Sequence, residues 1–231
     1  MSTSGVDNSD DLVDKLRKLE KRQARNNRAA HAKGLLLGIC SMLKPGDIVL
    51  DCGANVGELT VPLSRTGADV HAFEPDLYAF SKLSKATEGL ANVTLHNAAV
   101  GTNSGSVTLM RADNFDDNPR GASVKSTVIS GGRKIVEQGD NTIEVELVSL
   151  PEIISNLADR YGEITLLKMD IEGAELEILE WMLEHELFDK VRLTVAETHE
   201  KKFRRLRPRF EELRAQITKA YPKTKVNLDW I

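Results

Sequence analysis

From residue 47 onward, short apolar runs alternate with longer stretches whose apolar positions recur every three or four residues. The runs Asp47–Asp51, Asp69–Phe73, Val93–His96, Ile164–Met169, Val191–Ala196 and Lys225–Leu228 read as strands. The stretches Glu58–Thr66, Leu77–Thr87, Ala174–Glu186 and Arg209–Tyr221 read as helices. This order predicts an α/β fold: a mostly parallel central sheet with helices on both faces. The alternation lapses between Gly101 and Leu150. Ser106–Met110 and Thr142–Leu147 look like strands there, separated by a segment rich in Gly, Ser, Asn and Asp. We read residues 102–149 as an insertion whose loop lies over the site or is mobile.

Ahead of this domain, residues 1–9 are small, polar and acidic and read as a disordered tail. Residues 10–44 read as a helical extension. Leu12, Leu16 and Leu19 share one helical face, which is expected to pack, while the rest of Asp10–Lys33 is strongly basic. Leu35–Leu43 fits a short core helix. The remainder, 45–231, reads as one domain.

Composition narrows the class. The chain has 231 residues, is 41% hydrophobic and carries a formal charge of −4. No apolar run approaches the ~20 residues of a membrane span, and the acidic start is unlike a secretory signal. Cys40 and Cys52 have no metal-binding spacing and read as reduced, buried thiols. A cytoplasmic location is expected.

The chemistry gathers at strand ends. The first strand closes on Asp51, and the turn Asp51-Cys52-Gly53-Ala54-Asn55-Val56-Gly57 follows. Glycines there let the backbone approach a ligand closely. The acid beside the turn would repel a pyrophosphate and attract an ammonium, which favours S-adenosylmethionine over a nicotinamide dinucleotide. Glu74, one βαβ unit later, sits where an acid accepts hydrogen bonds from ribose hydroxyls. Asn97 follows the third strand and either meets adenine or caps a turn. Asp170 and Glu172 follow the fourth strand, and Glu197 and His199 the fifth. In an open parallel sheet these ends form one edge, where ligands bind.

The strings DCGANVG, FEP, NAAVG, KMDIEGAE and AETH together resemble the FkbM family of S-adenosylmethionine-dependent methyltransferases over roughly residues 47–200. The resemblance implies a Rossmann-like class I methyltransferase fold and, usually, O-methylation. It implies Asp51, Gly53, Asn55 and Gly57 as the cofactor loop and Glu74 as the ribose acid. Two features depart from the family pattern. Leu150-Pro151-Glu152 stands where members commonly show Leu-Asp-Asp, and only one strand, Lys225–Leu228, follows the last helix. The sheet is then smaller, or the insertion or a partner subunit completes it.

Methyl transfer to a hydroxyl needs alignment and a proton acceptor. His199 is the expected base, with Glu197 to orient it; Asp170 is a second candidate base or the partner of the methionyl ammonium. Asp170, Glu172, Glu197 and His199 would suit a divalent cation if they converged, but scattered acids need not, and no metal ligand is assigned. The six basic residues of Lys201–Arg209 offer an anion-binding role toward the acceptor or a solvated face. Only 5% of the chain is aromatic, which gives little support to nucleic acid as partner. The reading is an O-methyltransferase acting on a glycan, glycolipid precursor or secondary metabolite, with a homo-oligomer possible. An RNA or protein methyltransferase, or a non-catalytic cofactor-binding module, are the alternatives.

Overall fold

A computed structural model describes residues 7–112, 115, 117, 119–123, 125–132, 135 and 141–230. The chain divides into two compact units, one ending at Ser41 and the other covering Met42–Trp230.

The first unit is α1, a single helix over Asp7–Met42. It merges the two N-terminal helices expected from sequence, because nothing between Lys33 and Leu35 stops a helix except Gly34, and one glycine costs only about 1 kcal/mol. It also begins inside the stretch read as a tail. The leucine stripe is not packed as expected: Leu12, Leu16 and Leu19 are each more than half exposed. No described helix is long and apolar enough to cross a membrane.

The second unit holds a sheet of six parallel strands. These are β1 (Ile48–Cys52), β2 (Asp69–Phe73), β3 (Val93–His96), β7 (Ile164–Met169), β8 (Val191–Ala196) and β9 (Val226–Asn227). Their order is β3-β2-β1-β7-β8-β9. β1 and β7, side by side at the centre, are buried at every position, which is why both read as mainly apolar runs; Asp51 and Lys168, partners in register, are the buried charges within them. The order reverses between β1 and β7. This is the switch point, where the loops following the strands diverge and leave a crevice.

Helices cover both faces. Successive residues on a strand point to opposite sides, and Ala72 and Phe73 enter different cores. Ala72 packs with Ala54 and Leu83 of α3 (Leu77–Ala86). Phe73 joins the main core with Ile154 of α5 (Leu150–Tyr161), Leu179 of α6 (Glu175–Glu184) and Phe210 of α7 (Arg207–Ala220). Cys52, the last residue of β1, is fully buried in that same core. Burial pushes its thiol well above the ordinary range, with Asp51 adding to the rise.

The insertion builds its own sheet instead of completing the main one. β4 (Ala99–Gly101), β5 (Gly105–Met110) and β6 (Thr142–Ser149) lie in the order β4-β6-β5. The insertion therefore adds no edge strand to the main sheet, which has six strands among the described residues. A short helix α4 (Pro119–Ser123) lies within the insertion. The loop segment expected at 113–119 lies largely outside the described residues. After the glycine turn, helix α2 spans only Thr60–Ser64, shorter than Glu58–Thr66. Starting at Thr60 keeps Pro62, which has no N–H, inside the first turn.

Candidate active site

The turn after β1 is closed by the Gly57 N–H donating to Ala54 O at 2.9 Å. Asn55 sits at φ 49°, a left-handed position that asparagine tolerates better than most residues. Its side-chain Oδ1 is buried and lacks a hydrogen-bond partner among the described residues. Gly53 has φ 79°, and a Cβ there would lie 1.8 Å from the Asp170 carbonyl oxygen. Asp170 N–H in turn donates to Cys52 O at 3.0 Å. The position a side chain would take at Gly53 is thus occupied by the loop after β7.

Asp51 is fully buried. Thr60 Oγ1 donates to its Oδ2 at 2.7 Å, and Lys168 Nζ lies 3.2 Å from Oδ1. Lys168 also donates to Gly53 O at 2.8 Å. Burial opposes the ammonium's charge, but Asp51 and then Asp170 outweigh it and hold the lysine above its ordinary range. Asp51 therefore shapes the turn from beneath, through Lys168, and does not face the crevice as an open carboxylate.

Glu74 follows β2 and is 6% exposed. Its Oε2 accepts from Asn55 N–H and its Oε1 from Asp76 N–H, both at 2.8 Å. Burial raises its pKa to about 7 despite those two bonds. Asn97 Nδ2 donates to the carbonyls of Glu74 and Pro75 at 2.8 and 3.2 Å. Asn97 thus braces the turn after β2 and not the turn that follows it in the chain. Asp76 caps α3, accepting from Tyr78 and Ala79 N–H, and pairs with Arg111 Nε at 2.8 Å. Arg111 comes from the insertion, just past β5. It ties that segment to the Glu74 turn, a link that no local pattern in the sequence announces.

The ends of β7 and β8 bring the remaining acids together around one imidazole. His199 Nδ1 lies 3.0 Å from Glu175 Oε1. Its Nε2 faces Glu172 Oε2 at 3.5 Å, Asp170 Oδ1 at 3.8 Å and Glu197 Oε1 at 4.0 Å. Burial opposes charge on the ring, but the Glu175 hydrogen bond and the charges of Glu175, Glu172 and Asp170 outweigh it, and its pKa rises to about 9. At neutral pH His199 is an imidazolium. Glu197 also shifts upward, and for a carboxylate that means losing charge. Burial and then Asp170 raise it to about 7. Burial also raises Glu172, although His199 and Lys202 pull against it. One ligand atom each from Asp170, Glu175 and His199 lie within 4.8 Å of one another, so these acids do converge.

Much of the basic run has partners within the chain. Lys202 Nζ bonds Glu172 Oε2 and Lys125 O, both at 2.8 Å. Arg205 donates to Ser130 O at 2.5 Å, and Arg209 pairs with Glu180. Arg205 thus holds the insertion, while Arg204 and Arg207 are exposed. Arg214 of α7 bonds Thr198 and Leu228 O, steadying the loop that carries Glu197 and His199. Sequence reasoning missed Lys168, Glu175, Arg111 and Lys202. The first two stand in the quoted string KMDIEGAE, but their partners are distant in the chain.

A six-stranded parallel sheet with a glycine turn, an acid after its second strand and an acid–imidazole cluster at one edge defines a Rossmann-like enzyme class. The chain belongs to the methyltransferase FkbM domain family, which it matches over residues 51–221. It is 28% identical over 179 residues to a Streptomyces tacrolimicus protein named 31-O-demethyl-FK506 methyltransferase FkbM, covering 68% of this chain and 67% of that one. It is 26% identical over 208 residues to methyltransferase sdnD of Sordaria araneosa, covering 81% and 78%.

Proposed function

We propose that this methyltransferase uses S-adenosylmethionine to methylate a hydroxyl on a small molecule, with a secondary metabolite or glycan as the acceptor class. The observation that carries the reading is the bond between the Glu74 carboxylate and the Asn55 amide, which joins the ribose acid and the glycine turn into one unit. The buried, unmatched Asn55 Oδ1 fits a donor brought by a ligand. When bound, the cofactor supplies an electrophilic sulfonium methyl. Glu74 would hold ribose hydroxyls, with Gly53, Asn55 and Gly57 forming the turn around the ligand and Asn97 steadying it. Asp170, whose side chain is 28% exposed, replaces the buried Asp51 as the acid for the methionyl ammonium. The relative named for 31-O-demethyl-FK506 supports a hydroxyl on a secondary metabolite.

His199, flanked by Glu197, takes the acceptor's proton at Nε2. A pKa near 9 makes it a strong base in the fraction that is neutral, so turnover rises with pH toward that value. The imidazolium and Lys202 already offset the clustered carboxylates, and no metal is assigned. Calorimetry with S-adenosylmethionine tests the core of the reading. Glu74→Ala should weaken binding by about 1.5–3 kcal/mol, as for hydrogen bonds to a charged group. Wild-type protein that shows no binding overturns the proposal. Tracing labelled methyl groups into metabolites of producing and deleted cells would identify the acceptor.

A further inference from the structure

Glu175 is fully buried at the start of α6. Its Oε1 accepts from Ile171 N–H at 2.8 Å, and its Oε2 accepts from Gly173 N–H at 2.9 Å. Those two bonds explain why the loop between β7 and α6 has its shape. They do not explain the third partner, His199 Nδ1 at 3.0 Å, which arrives from the far side of the site on the loop after β8. With Nδ1 held, the only ring nitrogen left for proton exchange is Nε2, which faces Glu172, Asp170 and Glu197. Gly173 keeps the arrangement compact. A Cβ there would come within 2.2 Å of the Phe203 ring, so the loop after β7 and the loop after β8 are pressed together.

We propose that Glu175 is a positioning residue for methyl transfer: it fixes His199 by Nδ1 so that Nε2 alone exchanges the acceptor's proton. The inference rests on the reading of His199 as the acceptor's proton partner. Its chemistry is specific. The imidazolium loses the Nε2 proton to solvent and keeps the proton on Nδ1, which donates it to the Glu175 carboxylate in a hydrogen bond. The resulting neutral ring has its lone pair on Nε2. As the acceptor oxygen would bond the methyl carbon, the carbon–sulfur bond would break with its electron pair left on a neutral thioether, and the hydroxyl proton would pass to the Nε2 lone pair. Without Glu175 a neutral imidazole would be free to carry its proton on either nitrogen, and the Nε2–H tautomer cannot accept at Nε2. The same arrangement, a buried carboxylate selecting a histidine tautomer, sets the base in hydrolytic triads.

The test uses the full chain with imidazole 15N labels, and His199→Gln to assign the His199 resonances. Titration across roughly pH 5.5–10.5 spans the ordinary histidine range and the raised one. In wild type the neutral His199 ring is expected to be protonated at Nδ1. In Glu175→Gln its acidity should rise at least tenfold and the neutral ring should populate Nε2–H. A wild-type ring that is neutral as Nε2–H overturns the proposal, and this outcome needs no variant to fold. A second arm follows label from methyl-tritiated S-adenosylmethionine into a protein-free small-molecule extract. Glu175→Gln should slow transfer about 10–100-fold, and in the His199→Gln background it should cause no further loss. A further tenfold loss in that background means Glu175 acts on the fold and not through His199, which overturns the proposal. Calorimetric affinity for S-adenosylmethionine separates the two levels. Wild type that binds the cofactor while Glu175→Gln leaves the tautomer unchanged sinks the positioning role alone, and wild type that fails to bind sinks the underlying reading.

Discussion

The two halves of the candidate site solve opposite problems. At the end of β1 and β2, nearly every polar group is matched inside the chain. Asp51 has Thr60 and Lys168, Glu74 has two backbone amides, and Asn97 has two carbonyls. At the end of β7 and β8, four carboxylates crowd one ring, and burial and neighbouring charges both act on the pKa values of Glu197 and His199, whereas Glu74 in the first half is raised chiefly by burial. The first half is built for shape and the second for charge. Rigid placement suits a cofactor bound the same way in each turnover, whereas perturbed acids and bases suit proton transfer.

The contrast is open to attack at several points, and the largest effect is expected where the halves touch. Gly53→Ala drives a methyl against the Asp170 carbonyl at a backbone position with φ 79°. Left-handed strain and overpacking together should cost about 3–5 kcal/mol, read as a lower denaturant midpoint. A variant as stable as wild type would mean the two halves are not in contact as described. Lys168→Met is next. It strands the Asp51 charge in the core and should cost about 3–5 kcal/mol, with Asp51→Asn in the same chain restoring part of the loss. If the second change restores nothing, the pair is not what holds the turn.

The charged half is better probed by pH. His199 binds its proton more tightly folded, near 9, than unfolded, near 6.5. Its contribution is therefore complete below 6.5 and is lost as pH rises to 9, up to about 3 kcal/mol. Glu197 and Glu74 act with the same sign at lower pH. Both are raised in the folded state to about 7, so the stability they confer in acid declines as pH climbs toward that value. Thermal melts should fall steadily from weakly acidic to alkaline pH, and His199→Gln should flatten the alkaline part. The smallest effect is expected from Arg204→Ala. This side chain is exposed, so the variant should change stability by less than about 0.5 kcal/mol. A larger loss would extend the charged half beyond the cluster around His199.

Local patterns carried the architecture well. Each strand of the main sheet is a short apolar run at a chemically distinctive end, so five strand termini could be read as one edge before any contact was known. α5 was legible but went unread: Leu150, Ile153, Ile154, Leu157 and Ala158 recur every three or four residues behind the Ser149 cap, and Pro151 falls in the first turn where it is tolerated. β4 escaped because three residues make no pattern; it stands just before the insertion, and its partner β6 forms the insertion's far end. Side chains were harder for the same reason. Asp51 was taken for an open acid because Lys168, its partner on the neighbouring strand β7, is more than a hundred residues away in sequence. His199 was given an ordinary basicity because the carboxylates around it come from two separate loops. Residue type placed the acids at the edge, but only the fold could tell which were buried, paired or crowded.

Cys52 makes the main sheet report on its own opening. Its thiol sits at the centre of the core with no exposed area, and neither it nor Cys40 is in a disulfide. A thiol reagent in solution therefore reaches Cys52 only through transient separation of β1 from its neighbours, whereas Cys40 lies on the separate helical unit and is partly accessible already. The slow phase of labelling is a clock for breathing of the strand that carries the glycine turn. Any ligand that seats on that turn would be visible, without an assay of turnover, as a slowing of the clock.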